Sequence, residues 1–146
     1  MLDNIVVIFD DMKSMMKHLK KKSYEKNMEQ FIKKHGHYIK EMIDYVEAAS
    51  EKRSAACEVG KVLAEAVKES YKQGTKDKIP TYVQADLNFF MIYFVFPAIL
   101  KTEYEERKLI ADSICEEWNA CFKCNIGYTD YDALYASFRE KIFGIF

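Results

Sequence analysis

Four cysteines are the residues of this sequence best suited to metal or redox chemistry. Cys121 and Cys124 form a CxxC pair, Cys115 precedes it by six residues, and Cys57 lies far away in the chain. A CxxC pair supplies two of the four ligands of a zinc site, and no second CxxC or histidine pair supplies the others. Redox-active CxxC pairs lie at a helix N-terminus, whereas this pair falls at the end of a predicted helix. We therefore expect packed thiols, no bound metal and no cofactor.

The three histidines do not complete a catalytic motif. None of them follows a glutamate by three residues, as the di-iron bundles require, and the sequence contains no HExxH, GxSxG or P-loop motif. His37 and Glu41 share a helix face, as do Ser14 and His18, which is common for solvated neighbours on a helix. Because no nucleophile, base and orienting group occur together, we expect a protein that is not an enzyme.

Lysines produce the strongest electrostatic feature of the chain. Nine lysines and only two acidic residues lie between Lys13 and Lys40, although the net charge of the whole chain is −1. Such a surface can neutralise phosphates or bind an acidic partner. Only three arginines are present, and proteins that recognise base sequence rely on arginine. Non-specific nucleic-acid binding is therefore an alternative function, through a predicted basic patch formed by Lys13, Lys17, Lys20, Lys21 and Lys22.

The composition predicts an all-α fold in a single domain that spans residues 1–146. Hydrophobic residues make up 49% and charged residues 31% of the chain, as in globular proteins, while two prolines and five glycines are too few for the turns of a β-sandwich. The N-terminal segment contains Asp3 and Asp10 where a secretory signal needs basic residues. We therefore expect a cytoplasmic protein with reduced cysteines.

Apolar residues at intervals of three and four predict a bundle of five to six helices. The spacing continues from Ser23 to Gln73 and passes through Gly36, so it does not decide between one helix and two. A single helix would be about 75 Å long at 1.5 Å per residue, too long for a compact domain, and we place a break near Ser50. Thr102 is expected to cap the following helix as part of a capping box, and Thr129 the last one.

The segment Leu87–Leu100 is the most hydrophobic part of the chain. Twelve uninterrupted apolar residues, from Phe89 to Leu100, leave no polar helix face. They would span only about 18 Å of a hydrocarbon layer roughly 30 Å thick, so we expect no membrane span. The sequence instead predicts a buried central helix, at about residues 82–100, which is kinked or ended at Pro97.

Large aromatic side chains give rise to the main functional hypothesis. Their number and size exceed what the core of six short helices must bury. We therefore expect a non-catalytic interaction protein that binds a protein partner or itself as a homodimer. A second alternative is a pocket for a small apolar ligand, because bundles form such pockets between helices. The candidate ligand or interface residues are Asn88, Tyr93, Phe96, Pro97, Trp118 and Tyr128.

Overall fold

The chain folds as an all-α helical bundle. A computed structural model describes residues 2–17, 24–72 and 81–138, and these ranges contain no β-strand. Two of the helices, α4 (Thr81–Phe90) and α5 (Phe96–Ile99), are the ends of one continuous helical rod. The described chain therefore has six rods, and the predicted fold class is confirmed. The helices are α1 (Leu2–Lys17), α2 (Tyr24–Ala48), α3 (Lys52–Tyr71), α4 (Thr81–Phe90), α5 (Phe96–Ile99), α6 (Tyr104–Phe122) and α7 (Tyr128–Phe138).

The long periodic stretch after residue 23 divides into two helices. Helix α2 ends at Ala48 and α3 begins at Lys52, which confirms the break predicted near Ser50. Gly36 lies inside α2, as expected. The Tyr45 hydroxyl donates a hydrogen bond to Glu58 at 2.5 Å across the connection. Because the two residues are similarly distant from that connection, α2 and α3 pack antiparallel.

Both threonine caps predicted for the later helices are wrong. Helix α6 has Glu103 at its N-cap, and the Thr102 hydroxyl instead donates to the carbonyl of Ile99 at 2.6 Å. Helix α7 begins one residue before Thr129, and its first N–H group, that of Tyr128, donates to Asp112 at 2.7 Å. Helix α6 therefore begins without a side-chain cap, whereas α7 is capped by Asp112 and by the local bond from the Gly127 N–H to Asp130 at 2.9 Å.

The predicted central helix is buried and contains a π-helical turn. This turn, Met91–Val95, joins α4 to α5, and the Phe96 N–H donates to the Met91 carbonyl five residues earlier. Every described side chain from Phe89 to Phe96 is buried, as expected for the apolar segment. The rod continues past Pro97 and ends at Ile99, and a kink at Pro97 stays a prediction. Tyr93 lies in the π-turn, but its side chain is outside the described residues.

Helix α3 lies at the centre of the packing, against α6 on one side and α1 on another. A stripe of small residues, Ala56, Gly60 and Ala64, repeats every four positions and is buried. A Cβ atom on Gly60 would overlap the carbonyl oxygen of Ile114 in α6. The absence of a side chain at Gly60 is therefore what lets the two backbones approach so closely.

No helix among the described ranges combines the length and the hydropathy that a membrane span requires.

Candidate interaction surface along α1 and α2

The predicted residues Asn88 and Trp118 belong to a buried polar network in the core. The Trp118 indole N–H donates to Gln84 at 3.2 Å, and the Gln84 amide donates to Asn88 at 2.9 Å. The Asn88 oxygen also accepts the Tyr131 hydroxyl at 3.0 Å, while the Cys124 thiol donates to Gln84 at 3.3 Å. These polar groups satisfy one another, so the network ties α4 to α6 and α7.

Phe96 and Tyr128 form a second core cluster, at the other end of the central rod. Their rings stack with centroids 5.5 Å apart, and both residues are at most 2% exposed. Arg107 donates to the Tyr128 hydroxyl at 3.0 Å. Pro97, beside them, is half-buried. The structure thus divides the predicted ligand or interface residues between two packed clusters, and their proposed functional role stays a prediction.

The predicted basic patch is described only in part. Lys13 donates to the Ser70 carbonyl at 2.5 Å, lies 3.6 Å from the Asp10 carboxylate and has its ammonium 4.8 Å from the centre of the Tyr71 ring. This lysine therefore pins α1 to the end of α3. The side chain of Lys17 and residues 20–22, with the other three lysines of the patch, lie outside the described residues.

The four thiols are free and show no sign of activation where a shift is resolved. Burial raises the pKa of Cys115 to about 12 and also raises the pKa of Cys57. A raised pKa keeps a thiol protonated near neutral pH and lowers its reactivity as a nucleophile. Within the described parts of the chain, no three His, Cys, Asp or Glu side chains are close enough together to hold a metal ion.

A buried histidine joins α1 to α2. His35 is 3% exposed, and its Nε2 lies 2.7 Å from an oxygen of Asp11. Lys34 donates to the same oxygen at 2.8 Å. The hydrogen bond from Lys34 lowers the pKa of Asp11 below its ordinary value, and the contact with His35 acts in the same direction. Because an ionised carboxylate only accepts hydrogen bonds, Nε2 is the ring nitrogen that donates.

Two grooves follow the line where α1 and α2 meet, which we call the α1–α2 seam. The larger, of about 280 Å³, surrounds the Asp11–His35 pair. The smaller, of about 70 Å³, lies towards the other end of α1, between Asn4 and Glu41. This pairing of residue numbers makes the two helices antiparallel. The larger groove is lined by Asp11, Ser14, Asn27, Gln30, Phe31, Lys34 and His35, and the smaller by Asn4, Ile5, Tyr38, Glu41 and Met42.

Between the two grooves the seam offers an apolar surface. Val7 is 49% exposed and lies in α1 midway between Asn4 and Asp11. On α2 the corresponding level is occupied by His37 and Tyr38, whose rings lie 3.9 Å apart. Val7 and, at the same level of α2, the His37 and Tyr38 rings provide apolar area at the centre of the seam.

The outer face of α2 changes the sign of its charge along its length. Lys33 and Lys34 are exposed on the N-terminal side of His37, while Glu41 is exposed and Asp44 half-exposed on the C-terminal side. Lys40 interrupts the acidic half, but its ammonium pairs with Asp44 at 2.8 Å. The outer face of α2 therefore carries Lys33 and Lys34 before His37 and Glu41 and Asp44 after it, and Asp11 of α1 pairs with Lys34 at the lysine end.

A third groove, of about 440 Å³, lies elsewhere, between α3 and α6. It surrounds Leu109, which is 42% exposed. Its charges are largely paired within the chain, because Arg53 contacts Glu116 at 3.1 Å and Lys108 contacts Asp112 at 3.4 Å. Paired charges leave little net electrostatic attraction for a partner.

Sequence patterns place His35 on the apolar face of α2, but they do not identify its partner. The pair with Asp11 joins residues 24 positions apart and depends on how α1 packs. One signal was available, since a buried imidazole needs a polar partner, and Asp10 and Asp11 are the acidic residues next to the apolar stripe of α1.

Comparison of the chain with protein-family models, with curated proteins and with solved structures finds no match.

Proposed function

We propose that this protein is a non-catalytic interaction protein that binds another protein chain along the α1–α2 seam. The observation that carries the proposal is the exposed Val7 between two grooves, with Lys34 of α2 exposed at the level of one groove and Glu41 at the level of the other. Apolar area at the centre of a surface supplies binding energy, and charges at its rim set orientation and association rate.

The surface supplies a large part of the area that a protein partner needs. Helix α1, the shorter of the two, has 16 residues, which at about 1.5 Å per residue give a length of about 24 Å. With two helices packed 8–10 Å apart, the face is about 20 Å wide and has an area of roughly 480 Å². Specific complexes bury about 800 Å² on each partner, so this face provides more than half of that area.

The buried Asp11–His35 pair supports binding more than catalysis. A general base must reach the proton that it removes, whereas His35 is 3% exposed and its Nε2 is occupied by Asp11. The pair instead fixes α1 against α2 and keeps the grooves in shape. A preformed surface loses less conformational entropy when a partner binds.

Nucleic-acid binding is less favoured by the described lysines. Lys13 is directed to the Ser70 carbonyl and the Tyr71 ring, and Lys34 is paired with Asp11. A phosphate would have to replace the contacts of Lys13, and at Lys34 it would lie beside the Asp11 carboxylate, which repels it. If nucleic acid were the partner, retardation of duplex and single-stranded probes would fall steeply with added salt and would not depend on Val7.

Site-specific photo-crosslinking tests the proposal. A benzoylphenylalanine at position 7, in the protein produced in cells, should yield a discrete adduct with another polypeptide. The same probe at position 61 is the control, because Lys61 is exposed on α3, outside the seam. Replacing Val7 leaves folding intact because half of its surface is already in water. The same adducts at both positions, or none at position 7, would contradict the proposal.

A further inference from the structure

We infer that the partner on the α1–α2 seam is a second copy of this chain, which packs antiparallel across a two-fold axis at the level of His37 and Tyr38. This inference rests on the proposed function and adds the identity and orientation of the partner. It follows from the order of charges along α2 and from the position of the apolar patch between them.

The charges of α2 are complementary to those of an antiparallel copy. Lys34 and Glu41 are seven residues apart, so they lie within about 20° of each other around the helix and about 10 Å apart along it. Both are exposed on the side that faces the seam. A two-fold axis midway between them places each Lys34 beside the partner subunit's Glu41. A parallel arrangement would instead bring like charges together.

The existing bond between Lys34 and Asp11 leaves this contact available. An ammonium group has three donors, and Asp11 uses one of them. Glu41 is exposed at the edge of the smaller groove. Each dimer would contain the pair twice, so reversing the charge at either position changes two contacts at once.

The apolar patch lies on the proposed axis. The larger groove contains Asp11 with Lys34, and the smaller contains Asn4 with Glu41, so Val7 is level with the middle of the Lys34–Glu41 interval. Two copies of Val7 therefore approach the same axis together with the His37 and Tyr38 rings. This is the arrangement of most stable interfaces, with apolar groups inside and charged pairs at the rim.

Charge reversal followed by mixing tests the inference. Sedimentation equilibrium of the full chain should show a dimer for the wild type, and an affinity at least tenfold weaker for K34E and for E41K, each measured alone. An equimolar mixture of the two variants should recover the dimer, because the heterodimer again pairs opposite charges at both contacts. K61E, on α3, should leave the wild-type affinity unchanged.

Circular dichroism checks that each variant is folded, which matters most for K34E because it also removes the bond to Asp11. If K34E is unfolded, the test uses E41K and V7D instead, each measured alone. Both substitutions must then weaken the dimer. A wild type that is monomeric at all concentrations overturns the inference, and so does a dimer that neither reversal weakens or that mixing does not restore. A photo-crosslinked adduct at position 7 with a different protein would overturn it while leaving the proposed function in place.

Discussion

Replacing Gly60 by alanine is expected to destabilise the protein, although alanine is the better helix former. In the interior of an exposed helix the same change stabilises by about 1 kcal/mol. At Gly60 the added methyl group would lie 3.0 Å from the carbonyl carbon of Ile114 and overlap its oxygen. Both atoms belong to the backbone of α6, so no side-chain rotation relieves the clash.

The size of the effect follows from two opposing contributions. Overpacking of a tight interior costs about 1–3 kcal/mol, and a clash with backbone falls at the upper end of that range because two helices must separate. Subtracting the gain in helix propensity, about 1 kcal/mol, leaves a net loss of about 2 kcal/mol. For a domain of this length such a loss lowers Tm by about 4–8 °C.

Urea denaturation of four variants separates the two contributions. Lys61 is exposed one residue further along α3, so comparing Lys61→Ala with Lys61→Gly measures the helix-propensity difference in the same helix. Gly60→Ala should lose stability by about 2 kcal/mol, and Gly60→Val should lose more. If Gly60→Ala gained as much stability as alanine gains over glycine at position 61, the close approach of α3 and α6 would be refuted.

Substitutions at three further positions test other contacts. Asn119→Ala should lower the free energy of unfolding by about 2–3 kcal/mol in urea denaturation, because it removes hydrogen bonds of 2.7 and 3.1 Å to the backbone of Ile126. Asn119→Asp keeps the hydrogen-bond acceptor and should lose about half as much stability. Lys123→Gly should stabilise the protein by about 0.5–1 kcal/mol, because Lys123 has a φ of 54° that glycine adopts without strain. An unchanged stability of this variant would contradict the reasoning. Burial raises the pKa of Asp86, which accepts the Tyr71 hydroxyl at 2.5 Å, so stability is lost as pH rises through that pKa. The stability of Asp86→Asn relative to the wild type should therefore increase as pH rises above about 4. A series of thermal melts at different pH values measures this difference. Equal melting curves of the two proteins at all pH values would contradict the burial effect.

The helical rods could be predicted from the sequence because apolar spacing depends only on which face each helix buries. The break at Ser50 followed from a length limit, and the stripe of α2 placed His35 inside. The central segment at residues 89–100 was recognised as buried because no helix face of it is polar. In each case one physical requirement, the burial of apolar area, was enough.

The helix ends were harder to predict because they depend on contacts between distant elements. Asp112 in α6 caps α7, although a threonine with good capping chemistry lies one residue after the helix begins. Lys72 and Lys123 occupy the left-handed positions that end α3 and α6, where glycine is the usual residue. Local propensity was overruled there by the path that the chain must take to the next helix.

The candidate surface is harder to predict from the sequence than the helix ends. Charge composition drew attention to the lysines before residue 23, whereas the seam depends on Lys34 and Glu41 further along the chain. Their significance appears only when α1 lies beside α2 and leaves Val7 exposed. Pairing of helices across a bundle has no short-range signature in sequence, since many arrangements bury the same apolar stripes.

The π-turn at Met91–Val95 affects how the fold would tolerate the deletion of a residue. A bond between residues five apart encloses one residue more than the α-helical bond, so this turn holds an additional residue between α4 and α5. Removing one residue here would leave both flanking segments on their present faces, whereas a deletion within α4 would rotate everything beyond it by about 100°. The chain therefore has a point in the middle of its core where it can lose a residue and still keep the rest of the bundle in phase.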